Sequence, residues 1–111
     1  MKKTFQNYNF NFDKNEKKII NTFCKQVIKQ TEGNQDFYAE TRAFKSIIEK
    51  LNVDGETVKF TKDELIRLKR QFSENIKYLN EQSTKGWFFK KWMYKSMFTQ
   101  YSLIFNAHFK D

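Results

Sequence analysis

Proline is absent from this 111-residue chain, and glycine occurs only 3 times. Nothing interrupts a long helix, so an all-helical fold is favoured. Cys24 is the only cysteine, which excludes an internal disulfide. His108 is the only histidine. One Cys and one His do not make a zinc site. No Ser or Cys stands beside His108 in a nucleophile motif, and the acids show no paired spacing. Walker, dinucleotide-type glycine and HExxH motifs are all missing. These absences predict a protein that is not an enzyme, with no catalytic residues, cofactor, metal or small-molecule substrate. Cys24 is expected to be an inert buried thiol.

Long apolar runs are missing too. The longest uncharged stretch, Ser96 to Phe109, is too short and too polar to span a bilayer. Met1-Lys2-Lys3 begins like a signal peptide, but the polar residues that follow form no apolar core. A soluble, cytoplasmic protein with no transmembrane segment is expected. Arginine is scarce, with 3 against 18 lysines. Arginine carries the bidentate fork that reads bases, so this bias argues against base-specific recognition.

What is present is positive charge and aromatic bulk. The net charge is +8, and 13 Phe bring the aromatic share to 18%. Large rings can fill the core of a single small domain. The charge makes an acidic protein, nucleic acid or an anionic surface a suitable partner.

Along the chain, residues 1–12 read as an extended N-terminal arm. Tyr8, Phe10 and Phe12 alternate there with Asn9 and Asn11. A strand in isolation lacks a hydrogen-bonding partner, so an arm laid across the bundle is expected, with disorder as the alternative. Residues 13–111 read as the helical bundle domain. Asp13 and Glu16 have capping-box spacing at the start of the first helix. Ile19, Ile20, Phe23, Cys24, Val27 and Ile28 form its apolar face, with Lys14, Lys18, Asn21, Lys25 and Lys29 opposite. Gly33 or Asn34 suits its left-handed C-cap. The second helix is predicted from Asp36, as N-cap, to Leu51. Its stripe is Phe37, Thr41, Phe44, Ile47, Ile48 and Leu51, and Glu40 and Lys50 fall on a mixed, solvated face. Asp54-Gly55 between Val53 and Val58 predicts a turn or short hairpin.

Thr61 and Glu64 form a second capping box, and Phe60 and Leu65 have hydrophobic-staple spacing. Leu65, Leu68, Phe72, Ile76 and Leu79 trace the inner stripe of the third helix. Opposite charges at i,i+4, such as Asp63 and Arg67, neutralise its outer face. A short loop at 83–86 predicts that helices three and four are antiparallel. From Trp87 to Phe109 the chain is apolar on most of its circumference. Trp87, Met93, Tyr94, Met97, Phe98, Tyr101, Ile104 and Phe105 fill one arc, and Phe89, Trp92, Leu103 and Ala107 fill another. The fourth helix is therefore expected to be the most buried element. Its surplus apolar circumference would also suit a homodimer. The expected fold is all-α, an antiparallel four-helix bundle.

Two sets of residues are candidates for partner binding. Lys14, Lys18, Lys25 and Lys29 share one helix face without an intervening acid. Phe88, Lys90, Lys91 and Lys95 interleave aromatic and cationic groups, with no acid before Asp111. Lysines on a solvated face and rings in a core are the ordinary alternatives. Together they suggest a basic binding or regulatory protein docking on an acidic macromolecule. The lysine bias favours a protein partner, as for an inhibitor or adaptor; the composition suits accessory proteins of phages and mobile elements. Nucleic-acid binding through phosphates and stacked bases is the alternative. A membrane-surface role is the third.

Overall fold

Asp13 sets where the first helix begins. Its carboxylate accepts from the Glu16 N–H at 2.7 Å, and Glu16 accepts from the Asp13 N–H at 2.9 Å. These bonds satisfy amides that a helix start otherwise leaves open. The computed structural model describes residues 8–53, 55, 57–85 and 88–110, and the side chains of Phe88 and Phe89 also lie outside it. Residues 1–7 of the arm, Asp54 of the expected turn and Trp87 fall outside the described residues.

Among the described residues the fold is all-α, 79% helical, with four α-helices and a two-stranded ribbon. Helix α1 spans Lys14–Thr31 and α2 spans Tyr38–Leu51. Helix α3 spans Lys62–Ser83 and α4 spans Phe88–Ile104. Backbone packing divides the chain into two compact units, Met1–Leu68 and Lys69–Asp111.

In the first unit α1 and α2 pack as an antiparallel pair. Asn52 donates to Asn21 at one end, and Thr41 donates to Thr31 at the other. Between them the Phe23 ring meets Phe44 edge-on at 6.4 Å. Ile20, Phe23, Cys24 and Val27 of α1 are buried, as are Ala43, Phe44, Ile47 and Leu51 of α2. Each large side chain so buried contributes about 1.5–3 kcal/mol. Thr31 and Thr41 are buried as well, and the cost is met internally. Thr41 Oγ1 donates to Thr31 Oγ1 at 2.7 Å, which donates to the Val27 carbonyl at 3.0 Å. Gly33, at φ +88°, turns the chain after α1 in the left-handed region, as expected of a helix stop.

The start of α2 differs from expectation. Asn34, not Asp36, is the cap: its side chain accepts from the Asp36 N–H at 2.9 Å and opens a 3₁₀ turn, Gln35–Phe37, that leads into α2. Phe37 belongs to that turn, so it misses the inner stripe and is exposed. Glu40 does not lie on a solvated face. It is buried, because its place in the helix falls between Ile47 and Leu51 on the inner arc, and Arg67 meets its charge from α3 at 2.7 Å.

The alternating arm does find a strand partner. Strand β1, Tyr8–Phe10, pairs antiparallel with β2, Val58–Phe60, in the register Tyr8↔Phe60, Asn9↔Lys59 and Phe10↔Val58. Val58 thus pairs with the N-terminal segment rather than forming a local hairpin with Val53. The period of two puts Tyr8, Phe10, Val58 and Phe60 on the inner face and Asn9 and Lys59 in water. Phe10 stacks on Phe12 at 5.3 Å and meets Phe60 at 5.6 Å.

In the second unit the C-terminal part of α3 packs antiparallel on α4. Phe72 stacks on Tyr101 at 4.9 Å, and Tyr78 meets Tyr94 at 6.4 Å. Phe109 closes the cluster edge-on to Phe72 at 5.6 Å. It sits at the end of a π-helical turn, Phe105–Phe109, where the Lys110 N–H reaches the Phe105 carbonyl at 2.9 Å. Helix α4 is not the most buried element. Among its described side chains only Tyr101 and Ile104 are buried, while Trp92 is 68% and Leu103 64% exposed. Only one arc of this helix is covered; the arc through Trp92 and Leu103 faces water.

Candidate docking surfaces

The lysines of α1 are placed by the packing of its opposite side. At 100° per residue, Lys14, Lys18, Lys25 and Lys29 fall within a sector of about 60°, across the helix from Ile20. Burying Ile20, Phe23, Cys24 and Val27 turns all four to solvent. The row runs about 22 Å along the helix at 1.5 Å per residue. Among the described residues none of the four has an ion-pair partner. The acids nearest in sequence are engaged elsewhere. Asp13 and Glu16 close the capping box, and Glu32 pairs with Lys45 at 3.5 Å. Lys14–Lys18 and Lys25–Lys29 are like charges at i,i+4, each costing the helix about 0.2–0.5 kcal/mol.

Two shallow clefts flank this row. One, of about 490 Å³, is lined by Lys14, Lys17, Lys18, Asn21 and Asn52 together with Leu51, Val53 and Gly55. The other, of about 420 Å³, is lined by Lys25 and Lys29 with Thr22, Gln26, Ile28 and Glu32. Lys17 was not among the candidate residues. It sits at the edge of the row and donates to the Gly55 carbonyl at 3.0 Å, a long-range bond that helical spacing cannot signal.

In the other unit Lys90, Lys91 and Lys95 are exposed on the first two turns of α4, alongside exposed Trp92 and Met93. These lysines also have no carboxylate partner among the described residues. Phe88 begins the helix, and its side chain lies outside the described residues.

Lys50 of α2 and Arg67 of α3 are treated differently. Lys50 pairs with Glu64 at 2.6 Å. Arg67 pairs with Glu40 at 2.7 Å and, as its i,i+4 spacing predicts, with Asp63 at 3.0 Å. Hydrogen bonds from Arg67 to Glu40 and then Asp63 hold its guanidinium above the ordinary value. Burial pushes the Glu64 carboxyl up, but hydrogen bonds from Lys50, Ser46 and the Thr61 N–H, with the charge of Lys50, outweigh it. The net result is a carboxyl below its usual range.

A third cleft, of about 400 Å³, lies beside this cluster. Tyr38, Arg42, Ser46, Asp63 and Glu64 contribute to its lining. Its buried carboxylate is fully committed. Glu64 Oε1 accepts from Lys50 at 2.6 Å and from the Thr61 N–H at 2.9 Å, and Oε2 accepts from Ser46 at 2.6 Å. That arrangement anchors α3 to α2. Cys24 is fully buried, and burial pushes its thiol well up, which keeps it protonated. Among the described residues no three His, Cys, Asp or Glu side chains are grouped to hold a metal ion, and no helix is long and apolar enough to cross a membrane.

No family model matches the chain, and no curated protein or solved structure matches it either.

Proposed function

We propose that this is a small, non-enzymatic binding or regulatory protein that docks on an acidic macromolecule, with a protein partner favoured. One observation carries the reading. The α1 lysines form an exposed same-sign row that no carboxylate among the described residues neutralises, whereas Lys50 and Arg67 between α2 and α3 are matched to acids. An acidic surface laid along the row would relieve its repulsion and release counterions, so binding would weaken with salt. The lysine-to-arginine ratio favours a protein over a base-reading role. A cytoplasmic setting belongs to the same reading.

Nucleic acid is the second reading. It is favoured by Trp92, exposed beside Lys91 and Lys95, where an unpaired base could stack. A pull-down from the native host, with and without nuclease, tests both. The bait is the wild type beside a K14Q/K18Q/K25Q/K29Q variant. The expected result is a protein that survives nuclease treatment, elutes with salt and is lost with the variant. Recovery that needs intact nucleic acid would transfer the reading to the alternative. Capture that survives nuclease and is unchanged by the four substitutions would refute the α1 row as the docking surface.

A further inference from the structure

The outward arc of α4 repeats at 4-3-4 spacing. Trp92, Ser96, Thr99 and Leu103 fall on one line, about 16 Å long at 1.5 Å per residue. All four are exposed. This is the spacing of a helix-packing seam. Its ends are large and apolar, and its middle is small. The Thr99 hydroxyl donates to the Lys95 carbonyl at 3.0 Å, so it asks nothing of a partner and can be covered. The small centre lets another backbone come close, while Trp92 and Leu103 grip it at either end. An exposed Trp and Leu aligned in this way are an unusual use of surface for a helix whose opposite arc already supplies Tyr101 and Ile104 to the core.

The flanks are unequal. On the helical wheel Lys91 and Lys95 border one side of the seam, and Met93 and Gln100 border the other. Residues 82–110 contain 5 lysines and no acid. A second copy would bring the same lysines to the interface without a carboxylate to meet them. A helix carrying Glu or Asp along one edge of an apolar stripe would complement both features.

We infer that this arc of α4 is the docking seam for an acidic amphipathic helix of a partner protein. The inference rests on the proposed docking function and names the element the partner offers. It also assigns roles to Trp92 and Leu103, which become the anchors, with Lys95 setting the direction of the docked helix through its edge charges.

The test uses the full chain and a labelled helical peptide of about three heptads, with Leu at seam positions and Glu along one edge. Controls replace Glu by Lys, or replace the Leu seam by Gln. Anisotropy should show saturable binding of the acidic Leu peptide, at least about tenfold tighter than either control. W92Q/L103Q should weaken it by about tenfold or more, with circular dichroism and Tm unchanged because both side chains are exposed. K14Q/K18Q/K25Q/K29Q should change it by less than about threefold, reflecting only long-range attraction. No saturation up to about 1 mM, or binding indifferent to W92Q/L103Q, overturns the inference. A dimer in sedimentation that W92Q/L103Q dissolves would make the occupant a second copy. Tighter binding to phosphatidylglycerol vesicles or to a thymidine oligonucleotide would make it a bilayer or a nucleic acid. If the native partner is lost with the α1 variant but kept by W92Q/L103Q, the docking function stands and the seam does not.

Discussion

Glu64 is where three structural tasks meet, and its replacement has a calculable cost. The side chain is buried, closes the capping box of α3 and accepts from both Ser46 and Lys50 of α2. Glu64→Ala removes the return bond to the Thr61 N–H, which is worth about 0.5–1 kcal/mol. It leaves the part-buried Ser46 hydroxyl without its partner, for about 1 kcal/mol more. Lys50 loses its carboxylate, but its side chain is 32% exposed and water replaces much of the contact, so about 1 kcal/mol is assigned there. The total is about 3 kcal/mol, or a Tm lower by roughly 12 °C for a chain of this size. Glu64→Gln keeps one acceptor and should cost about half as much. The two variants also separate charge from shape. The folded-state pKa of Glu64 lies below its ordinary value of 4.5. Its charge therefore stabilises the fold above that value, and this contribution is lost as pH falls through the folded-state pKa. The stability gap between wild type and Glu64→Gln should accordingly hold from neutral pH down to the ordinary value of 4.5 and narrow as pH falls below it. Urea unfolding followed by far-UV circular dichroism measures both effects. A loss below about 1 kcal/mol for Glu64→Ala, or a gap that does not move with pH, would refute the assignment.

Two further outcomes follow from the cores. Phe72→Ala removes a fully buried ring stacked on Tyr101 and edge-on to Phe109, and should cost about 3–5 kcal/mol by urea unfolding. A cost under about 2 kcal/mol would mean that the α3–α4 cluster is not packed as described. Cys24 should resist a thiol-reactive dye in the native protein and react at once in denaturing urea, because its thiol is buried and held protonated. Rapid labelling without denaturant would contradict its place between α1 and α2.

Much of the fold is written locally. The pairs Asp13/Glu16 and Thr61/Glu64 have capping-box spacing, and all four bonds form. The stripe through Ile20, Phe23, Cys24 and Val27 is buried, which forces Lys14, Lys18, Lys25 and Lys29 outward. Glu40 illustrates the limit. On a helical wheel it falls among Ala43, Phe44, Ile47 and Leu51 of the buried stripe, but the partner that lets a carboxylate sit there, Arg67, comes from 27 residues away and no local spacing signals it. The same holds for Lys17, whose partner is the Gly55 carbonyl.

The sequence by itself determined the helices, their inner stripes and the acid-free runs of lysine, because each is a matter of spacing within a few turns. Tertiary structure decided what those local rules leave open. It joined Tyr8–Phe10 to Val58–Phe60, so that an arm lacking any neighbour of its own became half of a ribbon. It left one arc of α4 uncovered, although Phe89, Trp92, Leu103 and Ala107 read as a second apolar arc on a wheel. Burial depends on which surfaces the rest of the chain supplies, and that is a property of the whole fold rather than of any one helix.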